Sequence, residues 1–312
     1  EVMVAEADES DRSFLKLFPT LAVMTNIDHE HLENYGGMAD LQNAFVDFAN
    51  KVPFYGGVVA CADDANLAAV LPRMTRRVIT YGVASPEADV TASDVVLGPL
   101  TVAATVRRRT RTPDRHAADV VLGSLALRVP GRHNLQNALA AVAVGLELGL
   151  GFDRISSGLA DFRGAERRFE VRGEPRGILV VDDYGHHPTE VSAVIDAARA
   201  LNRRIVVAFQ PHRFSRTAAL LDAFGPALAG ADHVLLTGIY PAGEEPLPGI
   251  TLDALAASVR TSVTHIDVVP RLEDLPGAIA RVARRGDVVI TLGAGSIGAI
   301  AERVIAALEE GA

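Results

Sequence analysis

The sequence predicts an α/β protein: a mixed α/β amino-terminal part, then a mostly parallel sheet covered by helices on both faces. Three observations carry this. In the carboxy-terminal half, short β-branched runs alternate with helical patterns five times, as a parallel sheet with crossover helices requires. Polar clusters follow those runs, at the strand ends where α/β sheets bind ligands. Hydrophobic residues make up 49% of the 312, enough for two domain cores.

Taken in order, residues 21–27 read as a strand, 41–51 as a helix and 57–62 as a second strand. Residues 101–106 and 125–129 suggest β-structure. Arg107, Arg108, Arg109 and Arg111 lie between them and read as a solvated hairpin loop. Without interleaved aromatics that run is a poor nucleic-acid surface. Asn134 opens an Ala-rich helix to about residue 148, and a second helix covers 153–161. The domain boundary falls at 163/164. Beyond it, strands are expected at 178–181, 205–209, 233–236, 265–269 and 288–292. Helices are expected at 189–201, 217–228, 252–261, 272–285 and 297–308.

Composition removes several function classes. The net charge of −9 disfavours nucleic acid and anionic membranes as partners. Cys61 is the single cysteine, so no internal disulfide forms, which fits a reducing compartment. No uncharged apolar run reaches membrane-spanning length. The start, Glu1-Val2-Met3-Val4, has no basic n-region of a signal peptide. It reads as the middle of a strand, so upstream sequence is expected to be missing. Lys16 and Lys51 are the only lysines, and neither follows the glycine-rich turn of a phosphate-binding loop.

The densest chemistry is in residues 178–191, ILVVDDYGHHPTEV. Asp182, Asp183, Tyr184, His186 and His187 crowd a strand end, which is costly unless a ligand or metal engages them. A helix-capping loop with solvated histidines is the alternative. Residues 26–31 (NIDHEH) and 6–11 (EADESD) bring carboxylates and imidazole to two further strand ends. Together they suggest a divalent cation held by oxygens and one imidazole, or polar capping loops. Asn134 and Asn137 are three apart on one helical face, where amides suit an adenine edge; an N-cap role would account for Asn134 alone. Arg213 and Arg216 open a helix, against its dipole, which suggests anion binding. GAGSIG at 293–298 comes too late in the chain for a dinucleotide fingerprint. It reads as a tight turn with close helix packing.

These segments, with GRHNLQNALAA at 131–141, GAERRF at 164–169 and FQPHRFSRT at 209–217, resemble the Mur ligases of peptidoglycan synthesis along the length of the chain. The TNIDHEHLENY form at 25–35 is most similar to members that join L-alanine to UDP-N-acetylmuramate; a sister ligase attaching recycled peptide to the same nucleotide sugar shares several motifs. The resemblance implies most of a central ATPase domain (1–163), then a Rossmann-like domain (164–312), with the UDP-binding domain and phosphate loop outside the chain. It implies cytoplasmic ATP-dependent amide-bond synthesis for the cell wall, with the chain by itself an inactive fragment. Glu6 and His31 would hold Mg2+; His133, Asn134 and Asn137 would lie beside ATP. Arg168 and Asp183 would hold ATP across the domain cleft. His186, Arg213 and Arg216 would face the muramoyl carboxylate and the incoming amino acid. The catalytic candidates are His186, Arg168 and Asp183. Two other functions compete: a metal-dependent hydrolase using His29, His31 and the 182–187 cluster, and a non-catalytic nucleotide-binding module.

Overall fold

The structure is a computed structural model that describes residues 2–28, 34–111 and 117–310. The chain divides into two compact units. The first comprises 1–96, 102–127 and 132–162; the second comprises 97–101, 128–131 and 163–312.

The first unit is built on a six-stranded sheet whose order follows the chain. Its elements are β1 (Leu21–Met24), α1 (Met38–Asn50), β2 (Gly57–Cys61), α2 (Ala65–Val70), β3 (Val78–Gly82), β4 (Val90–Leu97), β5 (Val102–Arg111), β6 (Ala117–Leu127), α3 (Arg132–Glu147) and α4 (Phe152–Asp161). Strands β1 to β3 pair in parallel, and β5 pairs antiparallel with β6. Helix α1 buries Leu41, Ala44 and Phe48, and Phe14 packs its ring 5.0 Å from that of Phe48. Asp64 caps α2 by accepting from Leu67 N at 2.7 Å, so a first-turn donor is satisfied.

The arginine run is not a loop. Arg107, Arg108, Arg109 and Arg111 lie within β5, whose ladder continues from Val102↔Leu127 to Arg111↔Ala117. Opposite charge steadies Arg109 on the ribbon. Arg109 pairs with Glu87 and, across the ladder, with Asp119 at 3.4 Å. Arg107 Nε donates to Ser93 Oγ at 3.0 Å.

The second unit carries a sheet ordered β11-β10-β9-β12-β8-β7. Its elements are β7 (Glu170–Gly173), β8 (Leu179–Asp183), α5 (Pro188–Arg199), β9 (Ile205–Phe209), α6 (Phe214–Ala219), α7 (Leu221–Leu228), β10 (His233–Thr237), α8 (Leu252–Val259), β11 (Ile266–Val269), α9 (Leu275–Val282), β12 (Val288–Leu292) and α10 (Ala301–Glu310). Only β7, at the edge, runs antiparallel to its neighbour. Alternation along each strand feeds two cores. Val181, Val207, Phe209, Leu236 and Ile290 meet α5, α7 and α8 on one face. Val180, Val206, Leu235 and Val289 meet α9 and α10 on the other.

Two expected helices are shorter. The one at 217–228 breaks at Leu220, which leaves helical geometry at φ −119°. The one at 272–285 narrows to α9, with Pro276 in its first turn, where a missing N–H costs nothing. At the amino ends of the strands, Arg204 and Arg176 donate to Val282 O and Leu308 O. They satisfy carbonyls in the last turns of α9 and α10 and complement the helix dipoles.

Strands β9 and β12 are neighbours, yet the helices that follow them leave toward opposite faces. That divergence opens a crevice at their carboxyl ends. Thr251 caps α8 by accepting from Ala254 N. Thr251→Ala is expected to cost about 1 kcal/mol of stability, read as a lower urea midpoint at unchanged m-value.

Candidate active site

The carboxyl edge of the second sheet collects the chemistry. Asp182 and Asp183 are inside β8, not in a loop after it, and both are buried. The β8–β12 register extends to Thr291↔Asp182 and Leu292↔Asp183, and protein groups carry their charge. Asp182 accepts from Thr291 Oγ1 at 2.8 Å and from Arg167 Nε at 2.8 Å. Asp183 accepts the backbone N–H of Phe169 and of Gly185, each at 2.7 Å. Burial nonetheless dominates and pushes Asp183 up to about 6.

His187 is the N-cap of α5, in a capping box with Glu190. Glu190 accepts from His186 N at 3.0 Å, His187 N at 3.1 Å and Arg168 Nη1 at 3.1 Å. Burial works against its charge, but the His186 ring, the His186 N–H and Arg168 hold its carboxyl below the usual range. Thus the capping reading of the cluster accounts for His187 and Glu190. Arg168, Asp183 and His186 are joined through the same few bonds.

A chain of rings crosses the edge. Tyr184 meets His186 at 5.6 Å, His186 meets His212 at 5.3 Å, and His212 stacks on Tyr240 at 5.5 Å. His186 Nδ1 lies 3.1 Å from Tyr184 O. A carbonyl only accepts, so Nδ1 carries the proton there and the neutral ring has its lone pair on Nε2. His212 is the reverse. Arg216 Nη1 lies 3.2 Å from its Nδ1, and a guanidinium only donates, so His212 presents Nε2–H. Burial, then the charges of His186, Arg216 and Arg213, push His212 down to about 4. Arg213 sits at φ 68°, a costly conformation for a side chain with Cβ. Its Nε is buried without a hydrogen-bond partner, and Nη1 is 4.0 Å from Glu244. Glu244 is itself held by Ser215 N and Oγ at 2.9 and 2.6 Å.

In the first unit, α3 begins at Arg132. Asn134 is therefore inside the helix, which removes its N-cap reading. His133 and Asn134 are half-buried and Asn137 is exposed on the next turn. Gln136, between them, donates to Asp63 Oδ2 at 2.8 Å. Asp63 also accepts from Val83 N at 2.7 Å and Ala84 N at 3.0 Å. Burial opposes its charge, but these donors hold Asp63 below the usual carboxylate range.

Glu6 is exposed, and His29 and His31 lie outside the described residues. Asp8 and Asp11 are used locally, accepting from Ser10 N and Ser13 N at 2.8 Å each. Among the described residues no three His, Cys, Asp or Glu side chains group to hold a metal ion. The described donors alone thus complete no three-residue metal set, and the magnesium pair Glu6 and His31 falls partly outside them. No helix among the described residues is long and apolar enough to cross a membrane.

The Mur ligase middle-domain pattern matches residues 1–145, and the Mur ligase glutamate ligase domain pattern matches 167–295. The chain belongs to the Mur ligase family. It is 46% identical to the UDP-N-acetylmuramate–L-alanine ligase of Solibacter usitatus, over 98% of this chain and 63% of that protein. The enzyme of the same name from Geobacter sulfurreducens is 46% identical, over 99% and 66%. The chain thus spans just under two thirds of these relatives' length. The solved UDP-N-acetylmuramate–alanine ligase of Thermotoga maritima superposes with a TM-score of 0.74 at 27% identity, over 98% of this chain and 63% of that one. The MurF ligase of the same organism, solved in complex with ADP, shares the fold with a TM-score of 0.65 at 22% identity, over 94% and 62%. The Mur ligase family is ATP-dependent.

Within this Mur ligase chain the structure brings Arg168, Asp183, His186, Arg213 and Arg216 to one sheet edge of the second unit. His133, Asn134 and Asn137 lie on α3 of the first. Sequence reasoning missed Glu190, Gln210, Tyr240 and Asp63 as organisers. Gln210 is buried and spans the β9–β12 crevice, accepting from Ile297 N at 2.9 Å and donating to Ser296 Oγ at 3.2 Å. Its signal was a lone amide directly after a fully apolar strand.

Proposed function

We propose that the chain is the central and carboxy-terminal part, divided at 163/164, of a cytoplasmic ligase that joins L-alanine to UDP-N-acetylmuramate at the expense of ATP. The observation that carries this reading is the His186–His212–Tyr240 edge with Arg213 and Arg216. One imidazole there has a lone pair on Nε2, the other is fixed as a donor, and two guanidiniums stand beside them. That set suits an amino acid, whose carboxylate needs donors and whose ammonium must lose a proton. The likeness of nearly all of this chain to about two thirds of ligases of that name supports the choice of substrates.

In the proposed reaction the muramoyl carboxylate oxygen attacks the γ-phosphorus of ATP, and the bond to ADP breaks. The alanine amine then attacks the acyl phosphate carbon, and inorganic phosphate leaves. Before that attack His186 Nε2 takes one ammonium proton, and the second nitrogen proton leaves with the phosphate as the amide forms. Arg213, Arg216 and the Nε2–H of His212 hold the carboxylate of alanine. Arg168 offsets charge on the transferring phosphoryl group, and Asp183 fixes the backbone just after Arg168 and just before His186. His133, Asn134 and Asn137 face the adenine. Magnesium, for which Glu6 and His31 remain candidates by sequence pattern, would neutralise phosphate charge when bound.

The test has two arms. L-Alanine titrated into the 312-residue chain is expected to shift the ring resonances of His186 and His212. Fused behind the amino-terminal third of the Geobacter relative, the chain is expected to transfer 18O from the muramoyl carboxylate into released phosphate. No ring shift at saturating alanine, or alanine-dependent phosphate without 18O, would overturn the reading.

A further inference from the structure

Arg167 has no role in the proposed reaction, yet its side chain is fastened at three points. Its Nε donates to buried Asp182 at 2.8 Å, and its Nη2 donates to Gly293 O at 2.6 Å. The guanidinium lies over the Tyr184 ring, 5.1 Å from the centroid. Its backbone is tied as well: its N–H donates to Glu170 Oε2 at 2.9 Å, and its carbonyl accepts from Tyr184 N at 2.7 Å. Three segments therefore meet on one residue: the end of β8, the glycine turn after β12, and the 164–169 segment.

The glycine turn is shaped around it. A Cβ at Gly298 would lie 2.2 Å from Arg167 Cζ, so the glycine leaves the space that the guanidinium fills. The sequence predicts close helix packing for GAGSIG; at Gly298 the close neighbour is instead the Arg167 side chain. Arg167 and Phe169 hold φ of 55° and 49°, on either side of Arg168. Such backbone persists only where neighbouring contacts over-determine it. The contacts here are those of Arg167 on one side and the Phe169 N–H to Asp183 bond on the other.

We propose that Arg167 is a positioning residue: it pins the Gly293–Gly298 turn to the end of β8 and so fixes the backbone that presents Arg168. The inference rests on the reading of Arg168 as a phosphate-facing group. A lysine cannot replace Arg167, because a single ammonium does not reproduce a fork that reaches a carboxylate and a carbonyl at once. Substitution at Gly298 tests the same point without touching the charge, since only the far end of a flexible side chain must move.

The experiment compares Arg167→Lys and Gly298→Ala with the parent chain. Circular dichroism and thermal melting report the fold, the Arg168 Nε–H resonance reports its placement, and calorimetry with ATP reports binding. Both variants are expected to keep the fold, to shift or broaden the Arg168 resonance, and to bind ATP about tenfold more weakly, as loss of one charge-assisted contact implies. An unmoved Arg168 resonance in either folded variant overturns the proposal, whatever happens to melting. If the parent chain itself does not bind ATP, calorimetry on the fusion with the amino-terminal third of the Geobacter relative decides the phosphate reading of Arg168, while the resonance still decides whether Arg167 positions it.

Discussion

Asp183→Asn is expected to leave stability near neutral pH almost unchanged while displacing both Arg168 and His186. The carboxylate accepts Phe169 N on one oxygen and Gly185 N on the other. Asparagine has one acceptor oxygen, so its amide NH2 must face one of those N–H groups. Leaving a buried donor unpaired costs about 1–3 kcal/mol. Against this, burial raises Asp183 from 3.8 to about 6, which corresponds to about 3 kcal/mol of charge-burial cost at pH 7. Asparagine does not bear that cost, and the two effects offset. The sign with pH follows. Between pH 3.8 and 6 the unfolded state has lost the proton that the folded state keeps, so stability falls as pH rises through that window. Urea unfolding of both proteins at pH 4 and pH 7 isolates this contribution. The advantage of the parent over the variant is expected to be larger at pH 4 by up to about 3 kcal/mol. Because Phe169 adjoins Arg168 and Gly185 adjoins His186, ATP binding is expected to weaken about tenfold. A pH-independent difference, together with unaltered ATP affinity, would count against both the buried charge and its positioning role.

The sheet of the second unit was legible because its strands are apolar on both faces and each is followed by a helical period. The same property hid where β8 ends. Two aspartates looked like a loop, but ladder bonds to β12 and the Arg167 fork hold them in the strand. Cross-strand partners are distant in sequence, which is also why Arg107 to Arg111 looked like a hairpin loop: the acids that meet Arg109, Glu87 and Asp119, are not adjacent to it. The site was legible as residue types at strand ends, and its organisers were not. Glu190 reads as an ordinary first-turn acid until three donors converge on it. The tautomers of His186 and His212 depend on Tyr184 O and Arg216, and no spacing rule shows which ring nitrogen a carbonyl or guanidinium will meet.

Arg216→Met is expected to act on both the substrate and its histidine partner. Arg216 Nη1 donates to His212 Nδ1, which makes the neutral ring a donor through Nε2. After burial and the charge of His186, the charge of Arg216 is the next cause holding His212 down at about 4. Methionine keeps much of the side-chain bulk and removes both effects, so the His212 pKa is expected to rise toward the ordinary imidazole range, read from ring Cε1–H shifts against pH. A histidine depressed in the folded state contributes stability that is present above its unfolded value of 6.5 and lost as pH falls from there to about 4. In the variant that window narrows, and acid unfolding over it becomes shallower. Without the imposed tautomer His212 no longer has to present Nε2–H, and the alanine carboxylate loses a guanidinium as well. A charge-assisted hydrogen bond contributes about 1.5–3 kcal/mol, so L-alanine binding is expected to weaken by about 10- to 150-fold. Arg216→Lys restores a charge but not a planar donor, and it is expected to recover the low His212 pKa better than it recovers alanine affinity. Full recovery of affinity by lysine would mean that Arg216 acts as a point charge alone, and an unchanged His212 titration in the methionine variant would remove the Arg216–His212 bond from the description of the site.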